Sequence, residues 1–74
     1  MLVEVRLFAT FRQGRFKEKQ MEFPEASSLA DLLAHLQIAE KEARILLVNG
    51  IAVSPDHKLA PGDIVSIFPP MAGG

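Results

Sequence analysis

The chain has 74 residues, 49% of them hydrophobic and 23% charged, with a formal net charge of −1 and no cysteine. A chain this short makes one small domain that buries only about 60% of the surface its unfolded form exposes, so a two-domain enzyme is excluded. The composition is that of a globular domain rather than a disordered segment, the absence of cysteine removes disulfides, thiolate metal ligands and a cysteine nucleophile, and the near-neutral charge provides no global field for nucleic acid or an anionic membrane.

The first apolar stretch, Leu2 to Phe8, alternates. Val3, Val5 and Leu7 share one face and Glu4, Arg6 and Phe8 the other, the period of a half-buried strand. Charges interrupt this stretch, so it reads neither as a signal-peptide core nor as a membrane span, and a cytoplasmic location is expected. Residues Ala9 to Arg15 read as a polar connection containing Gln13-Gly14. A second alternating run, Lys19 to Phe23, ends at Pro24 and completes an N-terminal hairpin.

Leu29, Leu32, Leu33 and Leu36 then recur at the spacing of one helical face. Ser28 stands where a hydroxyl caps the free amides of a helix start, and Asp31 stands three residues on, where a capping-box carboxylate belongs. The leucine stripe ends near Gln37. The segment Ile38 to Arg44 fits neither period and is left open, although Glu40 and Arg44 have the spacing of a pair across one turn.

Ile45 to Val48 is a short apolar run closed by Asn49-Gly50, the pair suited to a type I′ turn because both central residues need positive φ. Ile51 to Val53 returns as its partner. Leu59 is a core anchor, and Ala60-Pro61-Gly62-Asp63 places Pro and Gly as a type II turn requires. The last strand, Ile64 to Phe68, alternates again and is stopped by Pro69-Pro70. Two strands, a helix and three further strands joining the same sheet describe an α+β roll of the β-grasp, ubiquitin-like type, a mixed sheet packed on one main helix. The domain is expected to span residues 1–68, with 69–74 as a flexible tail.

The tail reads Pro69-Pro70-Met71-Ala72-Gly73-Gly74. Glycine lacks a Cβ, so a Gly-Gly end enters a narrow channel and presents an α-carboxylate to another protein's active site. A carboxylate is a poor acyl donor until it carries a better leaving group, such as AMP. Against this stands the ordinary explanation that such an end is only frayed chain.

The residues that carry a family resemblance are Val5-Arg6-Leu7-Phe8-Ala9 with Arg12, Ser28-Leu29-Ala30-Asp31-Leu32-Leu33, Val48-Asn49-Gly50, Leu59-Ala60-Pro61-Gly62-Asp63, and above all Phe68-Pro69-Pro70-Met71-Ala72-Gly73-Gly74. With them the chain resembles, over essentially its whole length, the ubiquitin-like sulfur carriers, and most closely the small subunits of molybdopterin synthase. It departs from them in being shorter between Ala9 and Lys19 and around Ile38 to Arg44. The resemblance implies that Gly74 receives an adenylate from an E1-like adenylyltransferase using ATP, and that a persulfide donor converts it to a thiocarboxylate. It implies further that Pro70, Met71, Ala72 and Gly73 are read as the tail enters the large synthase subunit, where sulfur passes to a pterin precursor. The chain would then be carrier and substrate, with no catalytic side chain and no bound cofactor of its own. Carriers for thiamine or another pathway share the same end, as do ubiquitin-like protein modifiers, and a noncovalent β-grasp adaptor is the third class.

Two further readings concern surfaces. If Val3, Val5 and Leu7 face the helix, Phe8 faces outward, and if Val65 and Ile67 face inward, so does Phe68. In a β-grasp sheet the first and last strands are neighbours, so Phe8 and Phe68 form one apolar docking patch at the root of the tail, unless a loop covers one of them. Charge is also uneven, net +3 over residues 1–20 and −4 over the remainder, and the basic segment reads as a solvated loop without an assigned site. His35 and His57 have no second ligand at metal spacing, and no metal is expected.

Overall fold

The computed structural model describes residues 1–70. Five strands, β1 (Leu2–Leu7), β2 (Glu18–Glu22), β3 (Ile45–Val48), β4 (Ile51–Ala52) and β5 (Ile64–Phe68), form one sheet in the order β2-β1-β5-β3-β4, and one α-helix, α1 (Leu29–His35), lies on its apolar face. The central pair β1–β5 is parallel and the other pairings are antiparallel. This is the β-grasp arrangement expected from the strand and helix order.

The alternation read from the sequence is the observed one. Val3, Val5, Leu7, Val65 and Ile67 are essentially inaccessible and meet Leu29, Leu32 and Leu33 of α1 in a single core. Ser28 Oγ accepts from the Asp31 N–H at 3.2 Å while Asp31 Oδ2 accepts from the Ser28 N–H at 2.9 Å, so the capping box closes in both directions. The helix stops because Gln37 turns into the left-handed region at φ 60°, with its N–H donating to the Ala34 carbonyl and the Ile38 N–H to the Leu33 carbonyl. Those two bonds make a Schellman motif, which satisfies carbonyls that a helix end leaves free and buries Ile38 in the same core as Leu33. Both turns have the expected chemistry, with Asn49 and Gly50 at φ 53° and 82° and Gly62 at 85°.

Two stretches differ from or complete the sequence reading. The Ala9 to Arg15 connection is not simply polar, because a 3₁₀ turn over Ala9–Arg12 swings Phe11 into the core. The open segment Ile38 to Arg44 contains a second 3₁₀ turn, Glu40–Glu42, and buries Ile38 and Ala43. Glu40 and Arg44 form no ion pair there. Among the described residues, no helix is long and apolar enough to cross a membrane.

Candidate partner-docking site at the root of the tail

The open face of the sheet carries the residues opposite in parity to the core. Leu7 and Ile67 are paired in the β1–β5 register and point at the helix, so the next residue of each strand, Phe8 and Phe68, emerges side by side on the other face. Their rings stack, with centroids 4.1 Å apart and planes 9° from parallel. The patch expected from strand parity is therefore formed, and both rings are half-buried rather than covered.

What surrounds this stack was less visible in the sequence. Ile45 of β3 is directly opposite Phe68 and remains 45% exposed, which extends the apolar strip across three strands, with Leu47 half-buried beside it. The signal for it was the unbroken run Ile45-Leu46-Leu47-Val48, since a strand with one solvated face alternates and this one is apolar on both. Arg12 also belongs to the site. Its Nε donates to the Leu7 carbonyl at 2.6 Å, and its guanidinium carbon sits 5.1 Å from the centre of the Phe8 ring. A cation at this distance gains from the quadrupole of the ring and places positive charge at the rim of an apolar patch.

The chain leaves this patch from a fixed point. The Phe68 carbonyl accepts from the Arg44 N–H at 3.0 Å, Pro69 is buried against the domain, and Pro70 is exposed. Met71, Ala72, Gly73 and Gly74, the remaining tail residues singled out by the sequence, lie outside the described residues. The far end of the open face is different: Leu2, Glu4, Gln20, Gly62 and Ile64 line a shallow cavity of about 360 Å³ away from the tail. Between the two, Arg6 Nε donates to Glu4 Oε2 at 2.5 Å and neutralises the middle of β1.

The turns that frame the sheet are tied by one polar network. Asp63 is buried, and its Oδ1 accepts from Asn49 Nδ2 at 3.0 Å while its Oδ2 accepts from the Ala60 N–H at 2.8 Å. Asn49 Oδ1 in turn accepts from the Ile64 N–H at 3.0 Å. The resemblance rested in part on these residues, and their geometry is structural: they fix where β5 begins and hence the register that delivers Phe68. The two histidines are separate. His35 packs edge-on to Phe23 with centroids 5.6 Å apart, and the His57 carbonyl and N–H complete the loop that precedes Leu59.

The sequence profile of the ThiS family matches residues 5–74. The chain belongs to the ThiS family. Solved structures agree with this membership. A candidate molybdopterin converting factor subunit 1 of Pyrococcus furiosus is 33% identical, with a TM-score of 0.75 over 96% of this chain and 99% of its own. Subunit 1 in the complex of subunits 1 and 2 of the molybdopterin-converting factor of Helicobacter pylori is 28% identical, with a TM-score of 0.66 over the whole of both chains. The small archaeal modifier protein 1 of Haloferax volcanii, at 22% identity and a TM-score of 0.77 over 95% of this chain and 98% of its own, shares the fold. This ThiS-family chain is thus a ubiquitin-like, β-grasp domain of the sulfur-carrier type, similar to molybdopterin converting factor small subunits.

Proposed function

We propose that this protein carries sulfur as a C-terminal thiocarboxylate and donates it in molybdopterin biosynthesis, as the small subunit of molybdopterin synthase. In this reading the Gly74 carboxylate attacks the α-phosphorus of ATP in an E1-like adenylyltransferase and pyrophosphate leaves. The terminal sulfur of a persulfide donor then attacks the acyl carbon and displaces AMP, and a thiol cleaves the resulting acyl disulfide, releasing the thiocarboxylate and leaving a disulfide. The tail, with Pro70, Met71, Ala72 and Gly73 read along its length, then enters the large synthase subunit, and Phe8 and Phe68 dock against that subunit. The observation that carries the proposal is the stacked Phe8–Phe68 pair at the point where the tail leaves the sheet, in a chain similar to a subunit 1 that is seen in complex with subunit 2. An apolar patch rimmed by polar groups is what a protein partner covers, and a slim glycine end is what a closed active site admits.

Incubation of the full chain with ATP, an E1-like adenylyltransferase, a persulfide donor and a thiol reductant tests this by intact mass. A species heavier by the exchange of one oxygen for sulfur, mapped to Gly74 and lost when Gly74 is deleted, is the expected result. A chain that lacks Gly74 and still accepts sulfur would falsify the reading. Transfer from the loaded chain to a pterin precursor in the presence of the large subunit separates molybdopterin synthesis from thiamine or another sulfur pathway. The protein-modifier alternative, consistent with the fold shared with the Haloferax protein, predicts instead conjugates of higher mass joined through Gly74.

A further inference from the structure

The sheet has two edges, and they differ. β4 is two residues long, whereas β2 runs from Glu18 to Glu22 with β1 on one side and, among the described residues, no strand on the other. The Leu7 N–H donates to the Lys17 carbonyl and the Phe23 N–H to the Met1 carbonyl, both at 2.9 Å, so the odd-numbered main-chain groups of this segment turn toward β1. Alternation then directs the N–H and C=O of Glu18, Gln20 and Glu22 to the free edge.

The side chains of β2 separate by face. Met21 and Lys19 pair with the buried Val3 and Val5 and therefore lie on the helix side, while Glu18, Gln20 and Glu22 lie on the open side. Between β2 and the end of α1 is a cavity of about 410 Å³, lined among others by Arg15, Phe16, Lys19, Met21, His35 and Gln37, and by no carboxylate of the described residues. Neutral groups hold its cations. The Arg15 guanidinium donates to the carbonyls of Leu36 and Phe11 at 3.2 Å each, and the Lys19 ammonium sits 5.8 Å from the centre of the Phe16 ring. Neither is in an ion pair among the described residues. In a chain of net charge −1, this is a local concentration of unneutralised positive charge beside unpaired main chain.

We propose that the β2 edge and this cavity form a second docking surface, separate from the Phe8–Phe68 face, that takes an extended acidic segment of a partner protein as an added strand. Main-chain pairing to Glu18, Gln20 and Glu22 supplies the contact, and carboxylates at alternate positions of the incoming strand meet Lys19, Arg15 and His35 on the helix side. A second copy of this chain fits poorly. Symmetric antiparallel pairing of β2 with itself preserves the faces, and the register through Gln20 sets Glu18 against Glu22 while the register through Lys19 sets Lys19 against Lys19. The inference does not rest on the sulfur-carrier reading, because it involves no residue of the tail.

The test is an amide-shift titration of the ¹⁵N-labelled full chain, at low ionic strength, with the peptide Thr-Glu-Thr-Glu-Thr-Glu-Thr, whose threonines favour extended backbone. Saturable shifts are expected at Glu18, Gln20, Glu22, Arg15 and Gln37, with Phe8, Ile45 and Phe68 unmoved. Replacing the glutamates of the peptide by glutamine, or Lys19→Glu in the protein, is expected to weaken binding about tenfold or more, as removal of steering and pairing charges does. Lys17→Glu, on the same side by parity, is the second variant. The proposal is overturned if no shift saturates, if the shifts fall on the Phe8–Phe68 face, or if the glutamine peptide binds the protein equally well. Tighter binding of a short single-stranded oligothymidylate than of the acidic peptide also overturns it, in favour of a nucleic-acid surface.

Discussion

Phe8 and Phe68, near opposite ends of the chain, stack face to face because Leu7 and Ile67 are register partners in the parallel β1–β5 pair. Core packing and the open apolar patch are therefore set by one register, seen from two sides. The residues that lock the register are buried against α1, and their immediate successors are presented outward at the root of the tail. Phe8→Ala or Phe68→Ala is expected to weaken binding to the large synthase subunit by about 1–2 kcal/mol or more, the range of an aromatic anchor. Calorimetric titration checks this, and unchanged affinity would remove the patch from the interface. Ile45→Ala, which lies opposite Phe68, should weaken binding in the same direction.

The Asp63 carboxylate holds two donors in a buried position. Asp63→Ala leaves the Ala60 N–H and the Asn49 amide without their acceptor, at a cost of about 1–3 kcal/mol in urea unfolding. Asp63→Asn retains shape and one acceptor and should recover part of that loss.

Asp31 is held below the ordinary carboxylate value of 3.8, first by the hydrogen bond from the Ser28 N–H, then by the Ser28 side chain, with a smaller contribution from Lys58. A carboxylate whose folded pKa is depressed stabilises the fold above its unfolded pKa, and that stabilisation is lost as pH falls through the folded value. The melting temperature should therefore fall on acidification below about pH 4, with part of that fall absent in Asp31→Asn. At neutral pH the variant should melt lower than the parent, and the difference should close in acid. A constant difference across the whole range would contradict the capping-box assignment.

Phe11 lies in a segment of polar neighbours yet is buried in the core. Phe11→Ala should cost about 3–5 kcal/mol, as for other core phenylalanines. An unfolding midpoint within error of the parent would show that the 3₁₀ turn does not depend on it.

The sulfur-carrier reading places its chemistry on Gly74, and the domain is expected to be indifferent to the loss of that residue. Deletion of Gly74 should abolish thiocarboxylate formation while leaving the circular dichroism and melting temperature unchanged. Loss of both would mean that the effect acts through folding rather than through the acceptor carboxylate.

Much of this protein was legible from local chemistry. The strand alternation, the Ser28–Asp31 box, the Asn49-Gly50 turn and the Pro61-Gly62 turn each depend on residues within a few positions of one another, so spacing alone determined them. The β-grasp reading then made the first and last strands neighbours, and parity with it implied that Phe8 and Phe68 share a face. Other features depended on distant parts of the chain. Phe11 is buried because a 3₁₀ turn carries it from the loop into the core, and no periodicity marks a residue that enters the core from a loop. Ile45 joins the apolar strip because the β3–β5 register sets it against Phe68, and Asp63 meets Asn49 because two turns converge at the start of β5. The β2 edge and its cationic cavity came from tertiary structure in the same way. Charges that read as a solvated loop along the chain become a site only when the end of a helix closes over them beside unpaired main chain, since attraction between charges depends on separation in space and not on separation in sequence.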